Sequence, residues 1–323
     1  MSSLKTSAIA LAILGSVATM SASAAPTASA VSVLSFENFT INWITAARQV
    51  DASTDFNSLS VTSSQLTAAN MTGQAGVSNN PSSNNGSAFN STSQLGAVPA
   101  GLSAPGGNNN TTAYVVPTLP IAANFSLSAS NETGAPILNF GVAAASNADL
   151  HNGSYASLDT LSGTAGTSSS STLASTQAFV SSVGGDNLRF AFALGKYIGA
   201  FLDAGEAQSA LASWSVSFSL VNTTKNLLTA FFSAGDTISN NAPGTGVTEV
   251  GSLNSTVTGG FVDLAATSFD TFSPIIAGDT YLLSATISTR TQVERAVPEP
   301  GALALLGLGL AALGITRRNQ KKA

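Results

Sequence analysis

A single histidine, His151, stands in the chain, within Ala148-Asp149-Leu150-His151-Asn152-Gly153. Beside Asp149 it could bind a metal or act as a base, but Asn152-Gly153 is a turn sequence and favours a solvated turn residue. One histidine cannot build a two-histidine zinc site. No Gly-x-Ser-x-Gly elbow is present, and Ser-His-Asp catalysis would rest on His151 alone. Cysteine is absent, which excludes thiol catalysis, disulfides and thiolate-bound metals.

Carboxylates are the remaining candidates. Asp51 with Asp55 and Asp203 with Glu206 are closely spaced pairs. Glycoside hydrolysis needs two carboxyl groups facing across a cleft, which spacing alone does not supply, so these pairs read as surface polarity. Asp149 to Asn152, Gly184-Gly185-Asp186-Asn187 and Gly278-Asp279 are oxygen-rich turns that would suit a structural calcium ion, although none has the ordered twelve-residue loop. Asn38-Phe39-Thr40, Asn131-Glu132-Thr133 and Asn222-Thr223-Thr224 fit the N-glycosylation pattern, which chance supplies freely in a chain so rich in Asn, Ser and Thr. No residue is singled out as catalytic, no resident metal ligand is assigned, and the reading is of a protein that is not an enzyme.

Charged residues make up 8% of the 323-residue chain while 44% is hydrophobic, so solvation rests on hydroxyls and amides rather than on charge. Five of the eleven Lys and Arg residues lie in the terminal segments. Arg48, Arg189, Lys196, Lys225, Arg290 and Arg295 are left to the middle of the chain, too few and too scattered for a phosphate-binding face. Nucleic acid is excluded as a partner.

The two ends carry separate signals. Lys5 precedes an apolar run from Ala8 to Met20, followed by the small residues SASAA. This is the pattern of a secretory signal peptide over 1–24, with Ala22-Ser23-Ala24 the best cleavage site and Pro26 unsuited to the first mature position. At the other end Val297-Pro298-Glu299-Pro300 leads into sixteen uncharged residues, Gly301 to Thr316, and then Arg317-Arg318. Sixteen helical residues span about 24 Å, short for a bilayer core of roughly 30 Å. The prolines hold the approach extended, and the arginines would keep the end cytoplasmic. Gly307, Gly309 and Gly314 follow no strand of a βαβ unit and so make no dinucleotide loop.

In order and position, these residues closely resemble the PEP-CTERM sorting signal of exopolysaccharide-producing Gram-negative bacteria. The resemblance covers about the last 27 residues, counted from Val297. It implies recognition of Val297, Pro298, Glu299, Pro300, Arg317 and Arg318 by an exosortase, a membrane-embedded cysteine transpeptidase. It further implies transient inner-membrane anchoring through a helix over 301–316, then delivery to the cell surface or extracellular matrix, with exopolysaccharide as a partner.

The body, 25–296, alternates. In Ser213-Trp214-Ser215-Val216-Ser217-Phe218-Ser219-Leu220 the apolar side chains share one face and the serines the other, a strand buried on one side. FTINWI, SLSVTS, NFSLSAS, LRFAFAL and TYLLSATISTRTQV repeat the pattern, and Asn222 to Lys225 reads as a hairpin turn. Phe201 to Leu211 reads as a helical turn or, with Gly205 inside it, as strand–turn–strand. Residues 78–113 read as a polar loop or linker, and Ser162 to Thr172 as a flexible loop. An all-β fold is expected, a β-sandwich or jelly roll with long polar loops. A carbohydrate-binding module is the alternative function, with Trp43, Trp214 and Tyr155 as stacking candidates. A secreted hydrolase is the third.

Overall fold

The computed structural model describes residues 28–84, 90–99, 102, 121, 123–133, 149–158, 166–203, 208–240, 245–252 and 265–295. The signal peptide and the tail helix expected at the termini lie outside them. What is described is two antiparallel sheets packed face to face. Sheet A contains β1 (Ala28–Trp43), β2 (Arg48–Gln49), β6 (Asn90–Gly96), β7 (Phe125–Thr133), β8 (Asp149–Leu158), β10 (Leu188–Leu202), β13 (Thr245–Ser252) and β14 (Ala265–Asp270). Sheet B contains β3 (Phe56–Met71), β4 (Val77–Asn79), β5 (Ser82–Asn84), β9 (Gly166–Ser181), β11 (Gln208–Asn222), β12 (Leu227–Asn240) and β15 (Thr280–Arg295). One helical turn, α1 (Ala52–Asp55), leads into β3.

The strand order runs β13-β10-β1-β8-β7-β6 in sheet A and β12-β11-β15-β9-β3-β4 in sheet B. Because β3 pairs with β9, and β6 with β7, strands on both sides of the polar stretch share the same sheets. That stretch is itself partly structured: it supplies β4, β5 and β6, and its Val98 and Leu102 pack onto the outer face of sheet A.

Half of the sandwich is filled as the alternation predicts. Trp214, Val216, Phe218 and Leu220 are buried, as are Leu188, Phe190, Phe192 and Leu194, and these rows meet Phe36, Trp43 and Phe179 in one cluster. Phe36, Phe192 and Phe218 lie with ring centroids 4.9–5.5 Å apart, within contact range for aromatic pairs. The hairpin between β11 and β12 turns over residues 223–226, with Asn226 at φ 51°, a left-handed position that Asn tolerates.

The other half departs from expectation. In β7 and β8 both faces are buried. Phe125, Leu127 and Tyr155 turn outward under Leu102 and Ile121, while Ser126, Ser128, Ser130, Asn152 and Ser154 turn inward. Residues 166–172, expected to be flexible, form the start of β9, a strand paired on both sides, with Thr167, Ser169 and Ser171 buried. Hydrogen bonding between the sheets explains it. Ser126 Oγ donates to Ser168 O at 2.6 Å, Ser128 Oγ donates to Ser170 O, and Asn152 Nδ2 donates to Ile287 O at 3.0 Å. Ser154 lies 2.9 Å from the Thr289 hydroxyl, and Ser169 Oγ donates to Tyr155 O at 3.2 Å. A serine can reach a carbonyl of the facing sheet only where the backbones come closer than the usual ~10 Å between stacked sheets. The sandwich is therefore wide where Phe and Trp fill it and narrow where hydroxyls zip it.

Replacing Ser154 tests this. Ser154→Ala is expected to cost about 1–2 kcal/mol by leaving the Thr289 hydroxyl without its partner. Ser154→Leu is expected to cost about 3 kcal/mol by forcing the narrow half apart. Ser215→Leu, on the exposed face of β11, should be near neutral in the same denaturant titration.

Candidate functional site

The sorting residues Val297, Pro298, Glu299, Pro300, Arg317 and Arg318 and the cleavage residues Ala22 and Ala24 lie outside the described residues. The structure does show where the described chain begins and ends. Ala28, at the start of β1, and Val293, near the end of β15, belong to one buried cluster with Ala30, Ala156, Leu158, Ala200, Leu202 and Ala210. Both ends of the body therefore emerge from the same pole. The last strand is also held fast: β15 pairs along its length with β11 on one side and β9 on the other.

At the opposite pole the ordered carboxylates hold turns in place. Asp55, buried, receives a bidentate pair from Arg48 at 2.6 and 2.8 Å. It also accepts from Trp43 Nε1 and from the backbone N–H of Asp51, both at 2.9 Å. The Arg48 guanidinium, opposed by burial and aided by Trp43, brings the Asp55 carboxyl down to about 2. Asp51 and Asp55 thus belong to one structural clasp. Asp186 accepts from the backbone N–H groups of Thr45, Ala46 and Asn187. Burial opposes ionisation there, yet these donors hold its carboxyl at about 2. Asn222 Nδ2 donates to Asp279 at 2.7 Å and to the Tyr281 hydroxyl at 3.2 Å.

These contacts answer several sequence expectations. Both oxygens of Asp186 accept backbone N–H groups, Oδ1 from Thr45 and Asn187 and Oδ2 from Thr45 and Ala46. The Asn222 side chain is buried and bonded, so the glycosylation pattern at that position is closed to modification in the folded protein. Asp149 to Gly153 is no turn: it opens β8, pairing His151 with Ser35 and Asn131 across the sheet. Tertiary pairing overrides Asn-Gly here because Asn152 spends its amide on Ile287 O and Ser130. Trp43, Trp214 and Tyr155 are buried and cannot stack on a sugar ring. Asp203 and Glu206 are not brought together by any described contact, since Glu206 lies outside the described residues. Among the described residues no group of three or more His, Asp or Glu side chains is placed to hold a metal ion.

Sequence reasoning did not anticipate one feature. A shallow polar cavity of about 300 Å³ opens at the tail-bearing pole, lined by Asn70, Gly166, Ser168, Gln292 and Glu294 among others. Along its β15 wall Arg290 donates to Gln292 at 2.9 Å and Gln292 to Glu294 at 2.5 Å. The row Asn70, Ser168, Gln292 is set by strand register, which no sequence signal reveals before the pairing is known.

Beyond the last residue of β15, Arg295, a family model for the PEP-CTERM protein-sorting motif matches residues 296–318. The chain carries a PEP-CTERM sorting signal. It marks an exported protein whose C-terminal tail is anchored in the membrane until an exosortase processes it. No curated protein and no solved structure matches the chain. The PEP-CTERM motif begins at the residue after β15.

The Asp55 clasp gives a pH prediction. Its folded-state pKa lies below the ordinary carboxylate value, so its contribution is complete above roughly pH 5 and fades as pH falls through 4 towards 2. Asp55→Ala should cost about 2–3 kcal/mol at pH 7 by stranding Trp43 Nε1 and Arg48. It should flatten the acid limb of the stability curve, read by urea titration at pH 2, 3, 4 and 7.

Proposed function

We propose that the mature sandwich is a non-catalytic building component of the extracellular matrix or cell surface, exported by its signal peptide and released from the membrane by an exosortase. The observation that carries this reading is the PEP-CTERM tail joined directly to a fold in which Asp55 and Asp186 are spent on holding turns. Contact with exopolysaccharide is supported by the outer face of sheet B. There Thr62 meets Thr176 at 2.7 Å and Ser215 meets Ser288 at 2.7 Å. Across β3, β9, β11, β12 and β15 that face carries charge only at Arg290 and Glu294, a neutral hydroxyl surface that suits neutral glycan chains.

Because both ends leave one pole, the body stands with that pole towards the membrane before processing. The turns at 44–47 and 223–226 then face away from it. The Cys-free chain makes this measurable in a Pro298→Ala, Pro300→Ala form that retains its tail. Cysteine placed at Thr224, on the far turn, should react with a bulky maleimide at the rate of the released protein. Cysteine at Thr72, beside Gly166 on the near pole, should react several-fold more slowly. Equal rates would overturn the orientation.

Intact mass of the protein recovered from envelope and medium tests the sorting reading. A product beginning near Ala25 and ending near Pro298 to Pro300 is expected, with any added mass at its end identifying what it is joined to. A product that keeps Arg317 to Ala323 in the inner membrane would sink it.

A further inference from the structure

Four sheet edges border the described sandwich, and three are made of short pieces. Sheet A ends on one side at the seven-residue β6 and on the other at β13 and β14, of eight and six residues. Sheet B ends on one side at β4 and β5, of three residues each. Its other edge is β12, fourteen residues long.

The direction of its free backbone groups follows from the ladder. Thr223 N donates to Thr280 O at 2.8 Å, so odd-numbered residues of β11 address β15 and even-numbered ones address β12. The partners of the odd residues, namely Phe231, Ser233, Gly235, Thr237 and Ser239, therefore point their N–H and C=O groups away from the sheet. Among the described residues only Phe272 reaches this edge, donating its N–H to Thr229 O at 2.7 Å. From Phe231 to Ser239 no Lys, Arg or Pro blunts the strand; its one charge, Asp236, is paired with Lys196 at 3.6 Å and accepts the outward N–H of Thr237 at 2.7 Å, so Thr237 offers its carbonyl alone. Among the described residues no strand pairs with this stretch, and edges of this length left largely open are what proteins avoid unless the edge has a partner.

We infer that the β12 edge, Phe231 to Ser239, is a self-association surface on which a second copy of this chain pairs antiparallel across a two-fold axis at Gly235. The free stretch is centred on that glycine. In this register Ser233 faces Thr237 of the second copy, and Phe232 faces Ile238. Asp236 faces Ala234, so the two acidic groups are not opposed. The apolar pairs matter because Phe232, Ala234 and Ile238 are only partly buried against the core, and a second strand would close the seam over them. Exposed Phe231 lies at each end of the shared ladder. Nine residues at about 3.4 Å each give a seam about 30 Å long, and two-fold pairing ends with a closed dimer rather than a fibre.

Sedimentation velocity and hydrogen exchange on the exported, processed protein test this. A dimer is expected at ~10 µM, with the outward amides of Ser233 and Gly235 protected. Ser233→Pro removes an outward N–H without breaking a bond to β11, and Thr237→Lys adds an edge charge. Each should give a monomer with unchanged circular dichroism, in which the outward amide of Gly235 loses its protection while the amides bonded to β11 keep theirs. Should Ser233→Pro fail to fold, Thr237→Lys alone decides. A wild-type monomer at ~100 µM, or a dimer that persists in Thr237→Lys, would overturn the inference.

Discussion

Hydroxyl groups that reach from one sheet to the backbone of the other set the geometry of this protein. Ser126, Ser128 and Asn152 of sheet A donate to carbonyls of sheet B, and Ser169 and Thr167 return the contact to Tyr155 and Phe125. Each bond is worth only about 1 kcal/mol net, but the carbonyls concerned already serve their own ladders, so the hydroxyls satisfy themselves without breaking strand pairing. Removing such a partner costs more than the bond itself, because the group left behind is buried and dry. The zipper thus specifies spacing more strongly than it adds stability.

Once the narrow half is fixed, the rest of the packing follows. Between β1, β10, β11 and β12 the Phe36, Phe192, Phe218 and Phe232 rings fill the space between the sheets, and nearer the tail-bearing pole Ser32 donates to Ser213 O at 2.6 Å and Asn240 to Ala200 O at 3.4 Å. Sheet A cannot leave its other face wet, because Val31, Val33, Phe125 and Tyr155 occupy it; Leu102 and Ile121 pack over them. Ile121 is pinned there by Ser29 and Ser157, with its N–H donated to Ser29 Oγ at 3.0 Å. A chain with no disulfide and little charge is held by apolar burial on one side and hydroxyl pairing on the other.

This architecture suits the life implied by a PEP-CTERM tail. The chain enters and leaves at one pole through the central strands of opposite sheets, β1 and β15, each paired on both sides. The membrane-anchored tail can be removed without disturbing an edge. Carboxylates brace the far turns, and the broad outer face of sheet B is left neutral.

The sequence by itself determined the C-terminal sorting tail, the fold class and the apolar half of the core. The sorting tail is legible because its proline step, apolar run and arginines act locally and in order. The face of β11 is legible because period-two alternation reports burial wherever one side of a strand is wet. That rule fails where neither side is wet: the serines of NFSLSAS and of 166–172 look solvated, yet lie in the interior. Composition could not reveal this, because a serine that meets water and a serine that meets a carbonyl of the facing sheet are the same residue. Asn152-Gly153 likewise reads as a turn until Ile287 offers its carbonyl. Only the tertiary structure brings such distant partners within hydrogen-bond reach, and with them it decided the burial of Trp43 and Tyr155, the clasp around Asp55 and the place of β12 at the border of sheet B.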